Sequence, residues 1–143
     1  MNTRTSMADR WAGFTPYLRS VLRMVAAFLF VLHGAMKILA FPVPVMKSGG
    51  TVPLGTMPGT AGALELVGGS LLFLGLFTRP VAFLLAGEMA IAYFTSHAPR
   101  GFWPTMNGGE LAVLYCFTWL YFSAAGAGAW SLDALRIGKR QAK

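Results

Sequence analysis

Residues that can carry acid–base chemistry lie within and directly after an apolar stretch in the second half of the chain. Glu88 is inside this stretch, and His97, Arg100, Asn107 and Glu110 follow where it ends. An ionised carboxylate is costly in apolar surroundings, so a carboxyl group placed there needs a reason. Glu88 or a neighbouring imidazole could accept or relay a proton, and that chemistry is the first functional hypothesis.

A second polar pair precedes this stretch. His33 and Lys37 are four residues apart, so they lie on one face of a helix, and Glu65 occurs in the next apolar run. We therefore predict one polar pocket, open to the outside of the cell, with Glu88 at its floor. The predicted catalytic residues are Glu88, His33 and His97. The predicted ligand-binding residues are Lys37, Glu65, Arg100, Asn107 and Glu110.

Structural roles are the alternative for each of these residues. Lys37 could pair with Glu65 or Glu110 only to hold helices together. His33 could be a hydrogen-bonded buried imidazole, and Glu88 could be a neutral acid bonded to a carbonyl oxygen. The ligands of a possible metal ion would be His33, His97, Glu65 and Glu110. No tight ligand spacing supports such a site, and no metal is predicted.

The composition is that of an integral membrane protein. Of 143 residues, 55% are hydrophobic and 12% are charged, which is too apolar for an ordinary soluble domain. The net charge of +7 comes mainly from the two ends of the chain, without a basic stripe between them. Membrane lipids are therefore the predicted partners and nucleic acid is not. The single cysteine, Cys116, excludes an internal disulfide or a Cys-x-x-Cys redox pair, so redox chemistry would need another carrier.

Four apolar runs separated by proline- and glycine-rich segments predict the fold. The expected spans are residues 17–41, 60–77, 80–97 and 108–125, within a transmembrane domain of residues 17–126. Such runs suit a hydrocarbon core about 30 Å thick. The predicted fold class is all-α, a polytopic membrane protein with an antiparallel four-helix transmembrane bundle. A cleaved signal peptide is the alternative for the first run, but no A-x-A site follows it.

The chain ends predict the orientation of the bundle. Residues 1–16 are expected to form an interfacial segment, and residues 127–143 a basic tail with a short amphipathic helix capped by Ser131. Nine Lys or Arg residues fall on the side of the termini and three on the other side, which predicts that both termini are cytoplasmic. Arg19 and Arg23 are expected to extend towards that side, and Asn107 is expected to cap the fourth span.

Five short motifs occur at the predicted helix ends. They are H-G-x-x-K (33–37), E-x-x-G-G (65–69), G-L-x-T-R (75–79), N-G-G-E (107–110) and G-x-G-x-W-S-L-D (126–133). In order and placement they resemble the DoxX family of small four-helix membrane proteins, which is related to the membrane subunit of thiosulfate:quinone oxidoreductase.

This resemblance implies a subunit of a redox system in the bacterial inner membrane, with quinone as its cofactor. Lys37 or Arg100 would then hold a quinone oxygen or a substrate anion, and Glu88 or a histidine would handle protons. Electrons would have to come from a partner or from the substrate. The predicted protein partner is another redox protein or, in a homo-oligomer, further copies of this chain. The alternatives are a non-catalytic membrane scaffold or assembly partner and a transporter. Polar residues gathered on one side disfavour the transporter.

Overall fold

The computed structural model is helical throughout its regular elements. It describes the backbone of residues 6–141 and the side chains of residues 6–136 and 138, so part of the predicted amphipathic face of the tail lies outside the described residues. The α-helices are α1 (Met7–Gly13), α2 (Thr15–Ile38), α3 (Met57–Leu74), α4 (Thr78–Ala92), α5 (Pro104–Asn107), α6 (Glu110–Ala125) and α7 (Leu132–Gln141). A π-helical turn (Tyr93–His97) and a 3₁₀ turn (Ala98–Arg100) follow α4.

Three of these segments are long and apolar enough to cross a membrane. They are Thr15–Ile38, Met57–Leu74 and the continuous helical segment Thr78–Arg100. The apolar helix α6 is shorter, with 16 residues. The chain therefore carries the helices of a multi-pass membrane protein.

Local sequence sets where the helices begin and end. At α1, Ser6 and Asp9 form a reciprocal capping box, and the Ser6 hydrogen bonds hold the pKa of the exposed Asp9 carboxyl below its ordinary value. Thr56 caps α3 by accepting a hydrogen bond from the Gly59 N–H at 3.2 Å. Gly75 ends α3 with a φ of 66°, a left-handed conformation that favours glycine.

The helices pack as two pairs, α2 with α3 and α4 with α6, and α3 also contacts α4. Phe30, Leu72, Leu85, Trp119 and Phe122 form the centre of the buried core, each no more than 1% exposed. Glycine allows the close approach of α2 and α3. A Cβ atom at Gly34 would lie 2.5 Å from the Leu66 nitrogen, and one at Gly69 would lie 2.8 Å from Val31. Gly62 and Gly69 of α3 likewise lie directly against side chains of α2.

Arg23 is fully buried, and the prediction that it extends outwards was wrong. Its Nε donates to the Ala127 oxygen at 2.9 Å, and its Nη2 donates to the Trp130 oxygen at 2.5 Å. Its Nη1 donates to the Phe73 oxygen at 2.6 Å and also to the Leu72 oxygen. The last carbonyls of a helix lack partners within the helix, so Arg23 satisfies groups at the end of α3 and in the segment after α6. We call these contacts the Arg23 network.

Asp133 joins the start of α4 to the start of α7. Its Oδ1 accepts from the Phe77 N–H at 2.9 Å and its Oδ2 from the Thr78 N–H at 2.8 Å. A carboxylate at this position also suits the positive end of the α4 dipole. Ser131 accepts from the Ala134 N–H at 3.1 Å, which confirms it as the cap of α7. The G-x-G-x-W-S-L-D motif is therefore a structural element that closes one end of the molecule.

Candidate functional site

An ion pair between α2 and α3 is the centre of the candidate site. The Lys37 Nζ lies 2.6 Å from Glu65 Oε1, and the Glu65 residue is only 3% exposed. The Lys37 side chain remains 23% exposed, so the ammonium group is at the edge of the packed helices. Glu65 lies midway along α3, which begins at Met57 and ends at Leu74. Lys37 balances the charge of Glu65. The helix dipole stabilises this carboxylate only slightly, because its effect is limited to the ends of a helix.

Glu88 on α4 is close enough to Glu65 and Lys37 for their charges to act on its carboxyl group. Both of its carboxyl oxygens are buried without a hydrogen-bond partner among the described residues, and so is Glu65 Oε2. Three buried acceptor atoms in one place are unusual, because buried polar atoms are nearly always hydrogen-bonded. We call Lys37, Glu65 and Glu88 the buried charge cluster.

Aromatic rings from α2 and α6 adjoin the buried charge cluster. His33 packs edge-on against Tyr115, with ring centroids 6.1 Å apart. Tyr115 stacks on Trp119 at 5.7 Å, and the buried Trp119 Nε1 has no described acceptor. Tyr121, also on α6, is 47% exposed, so it does not belong to this internal group.

His97 and Asn107 form a separate polar group. The His97 Nδ1 lies 3.2 Å from the Asn107 backbone oxygen, and the Asn107 Nδ2 donates to the Gly101 oxygen at 2.8 Å. Tyr93 completes this group through its ring, which stacks on His97, and its hydroxyl, 3.4 Å from the Asn107 Nδ2. Sequence reasoning treated Tyr93 as an interfacial aromatic, although its spacing of four residues from His97 could have indicated the contact.

Asn107 does not cap α6, contrary to the prediction. It is the last residue of α5, and Gly109 occupies the N-cap position of α6 without a side-chain cap. The Asn107 Oδ1 instead accepts from the Gly109 N–H at 2.8 Å, which fixes the turn between the two helices. The segment between the third and fourth predicted spans contains the 3₁₀ turn Ala98–Arg100 and the short helix α5.

Arg100 and Glu110 are exposed, and their side chains form no hydrogen bond or ion pair within the described part of the chain. The structure therefore joins Lys37 and Glu65 directly, with Glu88 and His33 beside them. It joins His97 with the buried Asn107 elsewhere, between the π-helical turn after α4 and the end of α5. No hydrogen bond or ion pair between described residues links these two groups, so the predicted set does not form one connected cluster.

The geometry of the described residues does not support a metal site. Among the described residues, no three His, Cys, Asp or Glu side chains are placed to hold one. The chemistry available in the buried charge cluster is ligand binding and proton transfer. Lys37 donates one N–H bond to Glu65 and is partly exposed, so the ammonium group can donate a further bond to an oxygen of a ligand. Glu88 offers two oxygens that can hold or release a proton.

The sequence of this chain is similar to one protein family and to several known proteins. The sequence model of the DoxX family matches residues 18–98. An uncharacterized protein of Haemophilus influenzae is 50% identical over 123 residues, which are 84% of this chain and 91% of that protein. The Bacillus subtilis protein named "Putative oxidoreductase CatD" is 28% identical over 113 residues, 79% of this chain and 82% of its own. No solved structure matches the chain.

Proposed function

Because this chain belongs to the DoxX family of membrane proteins, we propose that it is a subunit of a redox system whose buried charge cluster binds a quinone or a small polar substrate. The resemblance to the Bacillus subtilis protein supports an oxidoreductase role, since that protein is named "Putative oxidoreductase CatD". The observation that carries the proposal is the pair of buried, unpartnered Glu88 oxygens beside the Lys37–Glu65 ion pair.

The residues of the cluster fit a quinone by their chemistry. A quinone accepts two electrons and two protons, and both of its oxygens are hydrogen-bond acceptors. Lys37 can donate to one of these oxygens while it remains paired with Glu65. Glu88 can hold a proton at its buried carboxyl group, and Tyr115 and Trp119 provide aromatic rings on α6, the helix that packs against α4. Electrons have to come from a partner, because the single Cys116 cannot supply a dithiol.

We expect Glu88→Gln to lower the amount of copurifying quinone by up to about tenfold relative to the wild-type protein, because the bond that a protonated Glu88 donates to a quinone oxygen is replaced by a weaker one from the glutamine amide. Glutamine keeps the shape of the side chain and removes its capacity to hold and release a proton. The measurement is mass spectrometry of lipid-extractable small molecules bound to protein purified in mild detergent.

The matched control is Glu110→Gln, because Glu110 is exposed and outside the cluster. It is expected to retain the wild-type amount of quinone. Equal loss in both variants, or no quinone in the wild-type protein, contradicts the proposal. A different small polar molecule that is lost only in Glu88→Gln would support the site and would identify that molecule, in place of a quinone, as its ligand. A stoichiometric protein partner unaffected by Glu88→Gln, with no bound small molecule, would favour the scaffold role.

The proposal includes a topology. We propose that α6 is a fourth span, that the four spans form an antiparallel bundle in the bacterial inner membrane, and that both termini are cytoplasmic. A cysteine added after Lys143 is then expected to resist a membrane-impermeant thiol reagent in intact cells and to react after lysis. Cysteine placed at Ser48, in the exposed segment between α2 and α3, is the control that should react in intact cells. The reverse pattern would invert the orientation.

A further inference from the structure

A cavity of about 780 Å³ lies where α4 begins and α6 ends, away from the buried charge cluster. Its walls come from three segments, residues 77–80, 125–128 and 131–136. These segments carry the T-R of the G-L-x-T-R motif and most of the G-x-G-x-W-S-L-D motif. The proposed redox function makes no use of this region.

Arg79 presents one edge of its guanidinium group to this cavity. Its Nη1 donates to the Ala124 oxygen at 2.5 Å and to the Ser123 oxygen at 3.3 Å, which fixes the group at the end of α6. Arg79 is exposed, and its Nε and Nη2 have no hydrogen-bond partner among the described residues. These two nitrogens form the edge of an arginine that donates two parallel hydrogen bonds to a phosphate or carboxylate.

Gly126 keeps this edge of Arg79 uncovered. Its φ of 79° is a left-handed conformation that favours glycine. A Cβ atom at this position would lie 3.4 Å from the Arg79 Nη2 and 3.6 Å from its Nε. A side chain here would therefore occupy the space that an anion needs to reach the two donors.

Two more groups in the cavity wall suit an anion. The Arg136 guanidinium lies 4.8 Å from the centre of the Phe77 ring, a cation–π contact that holds its charge at the cavity. Thr78 is fully buried, and its hydroxyl has no partner among the described residues. Asp133 also lines the cavity, but both of its oxygens are engaged by backbone N–H groups of residues 77 and 78. Two arginines and one aspartate leave the wall with net positive charge.

The surroundings of the cavity place it at the level of lipid headgroups. Phe77, Tyr17 and Trp130 are 51%, 44% and 56% exposed at this end of the helices. Exposed aromatic rings near the ends of apolar helices are typical of the membrane–water interface. Anionic phospholipids are the membrane components that carry a phosphate at this depth.

We propose that this cavity binds the phosphate group of an anionic phospholipid, held by the Arg79 Nε and Nη2 with Arg136 and the Thr78 hydroxyl as further donors. This site is independent of the proposed redox function. Its consequence is that a headgroup bridges α4, the segment after α6 and α7, which are the elements that close this end of the molecule.

The test is native mass spectrometry of delipidated protein titrated with phosphatidylglycerol in detergent. We expect Arg79→Gln and Arg136→Gln each to weaken binding at least about tenfold, because each removes a charge-assisted contact to the phosphate. Phosphatidylcholine is expected to bind more weakly than phosphatidylglycerol, since the cavity wall is net positive. Arg136 forms no described hydrogen bond, so Arg136→Gln decides the question if Arg79→Gln fails to fold.

The matched control is Arg100→Gln, which makes the same change of charge at an exposed arginine in the turn after α4. It should bind phosphatidylglycerol as the wild-type protein does. Equal weakening in this control would show a general effect of protein charge and would overturn the site. Binding of inorganic phosphate at the same arginines without binding of phosphatidylglycerol would overturn the lipid as the source of the phosphate.

Discussion

Replacing Arg23 with methionine is expected to lower the free energy of unfolding by about 3–5 kcal/mol, the usual cost of breaking a buried charged network. Arg23 is 0% exposed and donates hydrogen bonds to the carbonyl oxygens of residues 72, 73, 127 and 130. Methionine fills much of the same space, but it leaves these acceptors without a donor in apolar surroundings. Denaturation in detergent micelles, followed by circular dichroism, measures the loss.

The control for this prediction is Arg19→Met, one helical turn earlier on α2. Arg19 makes one described hydrogen bond, from its Nη1 to the Ala125 oxygen at 2.7 Å, and it is only half-buried. Its replacement should cost about 1 kcal/mol. Arg23→Lys keeps the positive charge but lacks the planar guanidinium group with its several N–H donors. It should therefore lose most of the stability that Arg23→Met loses. Equal effects at Arg19 and Arg23 would contradict a central role of the Arg23 network.

Replacing Lys37 with methionine is expected to destabilise the protein by about 3–5 kcal/mol, because it leaves the Glu65 carboxylate buried without its cation. The pair is close, at 2.6 Å, and Glu65 is 3% exposed. The double variant Lys37→Met/Glu65→Leu removes both charges and should recover to within about 1 kcal/mol of the wild-type protein, since a buried ion pair can often be replaced by apolar side chains. Glu65→Leu alone should cost less than Lys37→Met, because Lys37 can still reach solvent.

Lys47→Met is the matched control, since Lys47 lies exposed in the segment between α2 and α3. It should leave the free energy of unfolding unchanged. A double variant as unstable as Lys37→Met would mean that Glu65 has another role than pairing with Lys37. A double variant that is stable but retains no ligand would separate the structural role of the pair from ligand binding.

The helices could be predicted from local sequence, because their causes are local. Apolar runs of membrane length, Pro58 at the start of α3 and Gly75 at its end act within a few residues of the boundary. Ser131 was identified as a cap for the same reason. Asn107 was not placed correctly, since asparagine can cap a helix or fix a turn, and the choice depends on whether the Gly101 oxygen is within reach.

The long-range contacts could not be predicted in this way. An arginine at the end of an apolar run usually extends to the headgroups. Arg23 does not, because acceptors from residues about 50 and 104 positions further along the chain surround it. The pairing of Lys37 with Glu65 was one of two pairings that the sequence allowed. Whether Glu110 or Glu65 faces Lys37 depends on the rotation of each helix about its axis, which spacing within a single helix does not determine.

The Arg23 network also constrains the order in which the protein can be made. Arg23 is synthesised early, but two of its acceptors are 104 and 107 residues further along the chain. During translation the first helix pair therefore contains a guanidinium group that can reach its acceptors at Leu72 and Phe73, while its acceptors at Ala127 and Trp130 do not yet exist. Water or lipid phosphate has to solvate that group until residues 127–130 leave the ribosome. The last few residues before α7 thus complete the folding of the first helix to enter the membrane.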